Sequence, residues 1–172
     1  MKARLAMAVL ALGMAAVSCG DEDESTAPAF TPLVFRADLD GASQRPTAVD
    51  VPAAGTGTFS VTTGISPFFD PTSDERKLVT YSITVGDLSA GAVEATIHGP
   101  ADDNSVADVL VPLTITSTDS AGLIINGTFG STTNPAVSID SLVNLLRTGN
   151  AYVNIRTAAF PEGEIRGQIG AR

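Results

Sequence analysis

The stretch Lys77 to Val85 alternates with a period of two, and that period constrains the fold more than any other feature. Val79, Tyr81, Ile83 and Val85 fall on one side, and Leu78, Thr80, Ser82 and Thr84 on the other. Only an extended strand sends successive side chains to opposite faces. The pattern recurs along the chain. Leu33 to Leu39 puts Phe35, Ala37 and Leu39 together, and Thr56 to Thr62 opposes Phe59 and Val61 to three hydroxyls. Val93 to His98, Val106 to Thr116, Leu123 to Phe129, Ala151 to Thr157 and Glu164 to Ile169 read as further strands. In Val106 to Thr116 the apolar side carries Val109, Val111, Leu113 and Ile115. Loops with paired prolines separate them, at Asp40 to Gly55 and Ile65 to Glu75.

One segment breaks the period. Ile139, Leu142, Val143, Leu145 and Leu146 recur at helical spacing, Ser138 or Asp140 can cap the start, and Gly149 suits the end. The chain is expected to be all-β, an antiparallel β-sandwich of Greek-key or immunoglobulin-like kind with one short helix.

The first residues carry a different signal. Lys2 and Arg4 precede the apolar run Leu5 to Val17, which is too short for a membrane span of about 20 residues but suits a signal peptide. Ala16-Val17-Ser18-Cys19 closes the run, and Asp21 to Glu24 follow. Small residues before a cysteine resemble the lipobox of bacterial lipoproteins. Cys19 is the single cysteine of the chain, so no disulfide can form within it. Residues 1–18 are therefore read as a lipoprotein signal peptide. Residues 19–32, acidic and then rich in Ser, Thr, Ala and Pro, are read as a tether, and 33–172 as one domain. The expected location is the bacterial cell envelope, on an outer membrane facing the periplasm or the cell surface.

Charge narrows the partners. Removing residues 1–18 takes away two basic and no acidic residues, which moves the formal charge from −9 to −11. Such a surface disfavours nucleic acid and anionic head groups. The membrane enters through the palmitate-type lipid, and a protein or glycan is the expected ligand.

The domain resembles the CHRD family, first named from chordin. Phe35-Arg36-Ala37-Asp38-Leu39-Asp40-Gly41, Gly55-Thr56-Gly57 and Ala95-Thr96-Ile97-His98-Gly99 carry the likeness. The most specific part is Gly149 to Thr157, reading GNAYVNIRT, with Pro161 to Gln168, reading PEGEIRGQ. The resemblance implies an antiparallel β-sandwich and no defined activity. Members commonly carry His where this chain has Thr96 and Arg156, so His98 stands without two of three family histidines. One imidazole cannot build a His-rich copper or zinc centre.

Other chemistry is sparse. No Gly-x-Ser-x-Gly elbow is present. Asp102, Asp103, Asn104 and Asp108 could offer oxygens to calcium, or form a solvated turn. No cofactor is expected. The candidate binding patch is His98, Arg156, Glu164 and Arg166. In the C-terminal hairpin, Val153, Ile155, Ile165 and Ile169 should face the core. The opposite face then sets Arg156 across from Glu164, Asn154 from Arg166 and Tyr152 from Gln168, with Arg156 and Glu164 as an ion pair. The leading function is a non-catalytic envelope module for binding or structure. The alternative is a metalloprotein or enzyme on a superoxide-dismutase-like sandwich, which would need several histidines.

The lipid has a direct test. The mature protein should begin at an acylated Cys19, seen by mass spectrometry of the N-terminus. Cys19→Ser should move the protein to the soluble fraction, because one acyl chain alone gives only marginal binding and several give a firm anchor. An unmodified Cys19 or a different mature start refutes the reading.

Overall fold

In the computed structural model, which describes residues 32–64, 76–116, 123–130 and 137–171, the alternating segments all become strands. The signal segment, Cys19, all of the tether but Pro32, and the 65–75 loop lie outside the described residues. The strands are β1 (Leu33–Asp40), β2 (Ala54–Gly64), β3 (Arg76–Gly86), β4 (Ala92–His98), β5 (Val109–Pro112), β6 (Leu123–Gly130), β7 (Ala151–Thr157) and β8 (Ile165–Ala171). The helix α1 spans Ile139–Thr148. Ser138 caps it by accepting the Ser141 backbone N–H, and Gly149 ends it at φ 67°. Leu142, Val143 and Leu146 turn inward from the helix, which packs against β7 and β8. Among the described residues no helix is long and apolar enough to cross a membrane.

The fold is all-β and antiparallel, but its layering differs from the expected two-sheet sandwich. Hydrogen bonds join all eight strands into one sheet, in the order β5-β4-β7-β8-β1-β2-β3-β6. The join is β1 with β8, where Arg36 pairs with Gly170 and Asp40 with Arg166. The sheet curls into a half-barrel. The cause is the apolar face itself. Phe35, Phe59, Ile83, Ile97, Val111, Ile125, Val153 and Ile169 come from all eight strands and form one cluster. A flat sheet would leave that face in water, and each fully buried side chain of this size contributes about 1.5–3 kcal/mol.

The chain beyond β5 fastens the curl. Leu113 N–H still donates to Ala95 on β4 at 2.8 Å. The next residue has left that ladder, and Thr114 N–H donates to the Tyr81 hydroxyl of β3 at 3.0 Å. Ile115 then bridges to Ile125 on β6, and the Thr116 hydroxyl donates to the Ile124 carbonyl. The two edges of the sheet are thereby connected.

Most inward faces match the expected ones, with one exception. β5 is shorter than Val106 to Thr116. Ile97 pairs with Val111 but His98 pairs with Val109, so Leu110 is taken up in a bulge. A bulge reverses the alternation. Val109 consequently points outward, 41% exposed, while Val111 and Leu113 stay inside.

Gly167 sits between Ile165 and Ile169 where β8 crosses β1. A Cβ there would collide with the Asp38 carbonyl oxygen and lie 3.0 Å from Leu39 Cγ. Backbone and core both resist displacement. Gly167→Ala should lower unfolding stability by about 1–3 kcal/mol, read from denaturant melts. Gly170→Ala, with open space at its Cβ, is the control and should change little. Equal stability of both variants would show that the strands do not approach this closely.

Candidate functional site

β7, the Ala95–His98 end of β4 and the Ile165–Gly167 start of β8 are buried on both faces. One face joins the apolar core. The other carries a grid of polar side chains fixed by register. Glu94 pairs with Arg156, Thr96 with Asn154 and His98 with Tyr152 across β4 and β7. Asn154 pairs with Arg166 and Tyr152 with Gln168 across β7 and β8. The hairpin register is therefore the one expected from charge. The outer position of this face is not: Tyr152, Asn154 and Arg166 are buried, because the 41–53 and 99–108 loops fold over it, as the following contacts show.

A layered stack forms the centre. The His98 and Tyr152 rings lie parallel, 4.9 Å between centroids and 4° apart. Arg166 Cζ lies 3.6 Å from the Tyr152 ring centroid. Since β4 and β8 flank β7 on opposite sides, the phenol ring is held between imidazole and guanidinium. A desolvated contact of this cation–π kind is worth about 2 kcal/mol.

Hydrogen bonds lock the stack. His98 Nδ1 is 2.9 Å from the Ala107 carbonyl, which can only accept, so Nδ1 carries the proton. The Thr96 hydroxyl, 2.9 Å from Nε2, then donates to that nitrogen. The Tyr152 hydroxyl takes the Ala107 N–H at 3.2 Å. Gln44 from the long loop after β1 donates to Asn154 Oδ1 at 2.8 Å, and Asn154 Nδ2 donates to the Glu162 carbonyl at 3.0 Å. This last turn needs Gly163, whose φ of 137° is hostile to a side chain and whose Cβ would strike the Asn154 and Gln44 amides.

Arg166 is the most unusual member. It is 2% exposed, yet no carboxylate among the described residues forms an ion pair with it. Nη2 donates to the Asp102 carbonyl at 2.8 Å and Nη1 has no hydrogen-bond partner. Asp40 stands across from it in the β1 ladder, but that carboxylate accepts the Ser43 N–H at 2.7 Å. Burial pulls the guanidinium below its ordinary value, and the nearby Arg45 charge adds to this, against Tyr152 and Asp102.

A pocket of about 240 Å³ opens over this face, walled by His98, Tyr152, Asn154, Arg45, Arg156 and Arg166, with Glu162 among its other lining residues. The structure thus brings together three of the four expected patch residues. Glu164 is not among them. It is fully buried and its oxygens accept from the Thr157 hydroxyl at 2.6 Å and the Ser89 N–H at 2.7 Å. Arg156 instead pairs with Glu94 at 2.8 Å. The expected Arg156–Glu164 ion pair is corrected on this ground. β8 begins at Ile165, so Glu164 precedes the strand and is not bound by its alternation. Buried beside Thr157 and Ser89, its carboxylate finds donors there. Tyr152 and Asn154 were visible in the sequence as same-face neighbours of Arg166. Gln44 and Arg45 arrive from a loop over 100 residues away in the chain and had no local signal.

The acidic turn after β4 is organised by its own bonds. Asp102 Oδ1 accepts the Asn104 N–H and the Ser105 hydroxyl, and these bonds hold the Asp102 carboxyl below its usual value, the Ser105 hydroxyl most of all. Among the described residues no group of three His, Cys, Asp or Glu converges as metal ligands.

Burial lowers the His98 pKa, aided by the Arg156 and Arg166 charges and opposed by the Ala107 bond and Glu94. The unfolded chain then takes the proton first as pH falls. Stability is full above the ordinary histidine value of about 6.5 and is lost as pH drops through the lower folded value. Denaturant melts of wild type and His98→Gln between about pH 8 and 5 should converge toward the acid end. Curves that stay parallel would mean that His98 titrates as it does in the unfolded chain.

No curated protein and no solved structure matches the chain. The model of the CHRD domain family matches residues 35–169, from the first core residue of β1 to the last of β8. That span covers most of the chain, which belongs to the CHRD domain family.

Proposed function

We propose that this protein is a non-catalytic, extracytoplasmic binding module of the bacterial cell envelope, anchored through a lipid on Cys19. Membership of the CHRD family supports an extracytoplasmic, non-enzymatic role in general terms. The observation that carries the binding reading is the pre-formed pocket over β4, β7 and β8. Its polar walls are fixed by the Tyr152 stack and by strand register, so little order need be gained on binding. His98 offers no free nitrogen as nucleophile or base, since Thr96 and Ala107 occupy both. The tether then serves to hold the pocket off the membrane.

Site-specific photocrosslinking in the native envelope tests this. A crosslinking residue at Val106, exposed and lining the pocket, should capture a discrete partner. The same residue at Ile124, exposed on β6 and absent from the pocket walls, should not. Equal products from both positions, or none from Val106, would overturn the proposal.

A further inference from the structure

We infer that the pocket over β4, β7 and β8 binds an oxyanion, a carboxylate or phosphate group, through Arg166 and Arg156. This rests on the binding reading above and names the ligand chemistry. Two buried donors point to it. Arg166 Nη1 and Arg156 Nε are both buried without a hydrogen-bond partner, and both residues line the same pocket. A buried donor left unmade costs about 1–3 kcal/mol, more on a charged group. A bound anion removes that cost for both at once.

The remaining polar groups favour an anion over a neutral sugar. Hydroxyls need acceptors as well as donors, and three acceptors on the pocket floor are already taken. Asn154 Oδ1 holds Gln44, His98 Nε2 holds Thr96 and the Tyr152 hydroxyl holds Ala107. The two orphaned buried atoms are guanidinium N–H donors, which match a group that only accepts. A group with at least two oxygens can engage donors from two arginines. Arg45 adds a third positive charge to the wall, so that these outnumber the Glu162 carboxylate of the lining and the Glu94 carboxylate paired with Arg156. Its Nη1 is braced on the Ala42 and Gln44 carbonyls at 3.0 and 2.8 Å. The charge is local, because the chain as a whole carries a formal −9.

An adjoining pocket of about 380 Å³ shares Gln44, Arg45, Pro46 and Glu162 and adds Val49, Phe160 and Pro161. It gives the rest of an acidic ligand an apolar surface beside the charged group.

Titration of the isotope-labelled full domain by NMR tests the inference, following the arginine side-chain N–H signals. The probes are glucuronate, inorganic phosphate and, as neutral control, glucose. Saturable shifts of Arg166 and Arg156 with either anion and none with glucose support the proposal, and the stronger anion separates a carboxylate ligand from a phosphate one. Arg166→Gln should weaken that binding about tenfold or more, the loss of one charge-assisted hydrogen bond. If Arg166→Gln does not fold, Arg156→Gln on the half-buried partner should give a loss of the same kind. Absence of saturable shifts with both anions, equal binding of glucose, or affinity unchanged in the folded variants overturns it. A Val106 crosslink in the envelope without anion binding would leave the binding module standing and remove only its ligand chemistry.

Discussion

Each of the eight strands presents one apolar face, and these faces can meet only if their common sheet rolls up around them. That constraint orders the rest of the structure. The core residues of β5 and β6, at opposite edges of the ladder, reach one cluster because the sheet curls. The chain after β5 crosses from Ala95 on β4 to Tyr81 on β3 and Ile125 on β6. Those bonds also occupy part of the edge that would otherwise offer unpaired backbone to another chain.

Rolling the sheet leaves its other face outward, and on β1, β2 and β3 that face is mostly Thr, Ser and charged residues, with Val34 and Leu78 also exposed. The β4–β7–β8 part is different. Loops 41–53 and 99–108 cover it, and polar side chains there lose solvent without joining the apolar core. Burial of polar groups is tolerated when they bond one another. Thr96, His98, Tyr152, Asn154, Gln44 and Gln168 meet that condition within the protein. Glu164 does as well, through Thr157 and Ser89, and in doing so ties the β3–β4 turn to the last hairpin. Arg166 meets it only in part, through the Asp102 carbonyl, a 3.4 Å bond to Gln168 Oε1 and the Tyr152 ring. The two buried charges differ: one is satisfied by neutral donors, and the other, on a residue that lines a pocket, keeps a buried donor without a partner.

Thr96 and Arg156, where the resemblance implies histidines, fit the same arrangement. Thr96 places a hydroxyl on His98 Nε2, and Arg156 spans to Glu94. Positions that could have converged on a metal instead fix an imidazole against Tyr152 and add a guanidinium to the wall. The face keeps unpartnered guanidinium donors at Arg156 and Arg166.

The sequence by itself determined the strands, the helix with its Gly149 end, most of the inward faces and the hairpin register. Those depend on spacing along the chain, on local turn residues and on charge across one hairpin. The CHRD likeness was legible for the same reason, since its specific motifs are the two strands and turn of that hairpin. Only the tertiary structure decided that one curled sheet replaces two, that Val109 leaves the core at a bulge, and that Arg156 takes Glu94 in place of Glu164. It alone brought Gln44 and Arg45 into one pocket lining with Tyr152 and left Arg166 without a counter-ion among the described residues. Each of these turns on which distant segments become neighbours. A period of two says which way a side chain points, but not what the folded chain has placed there to meet it.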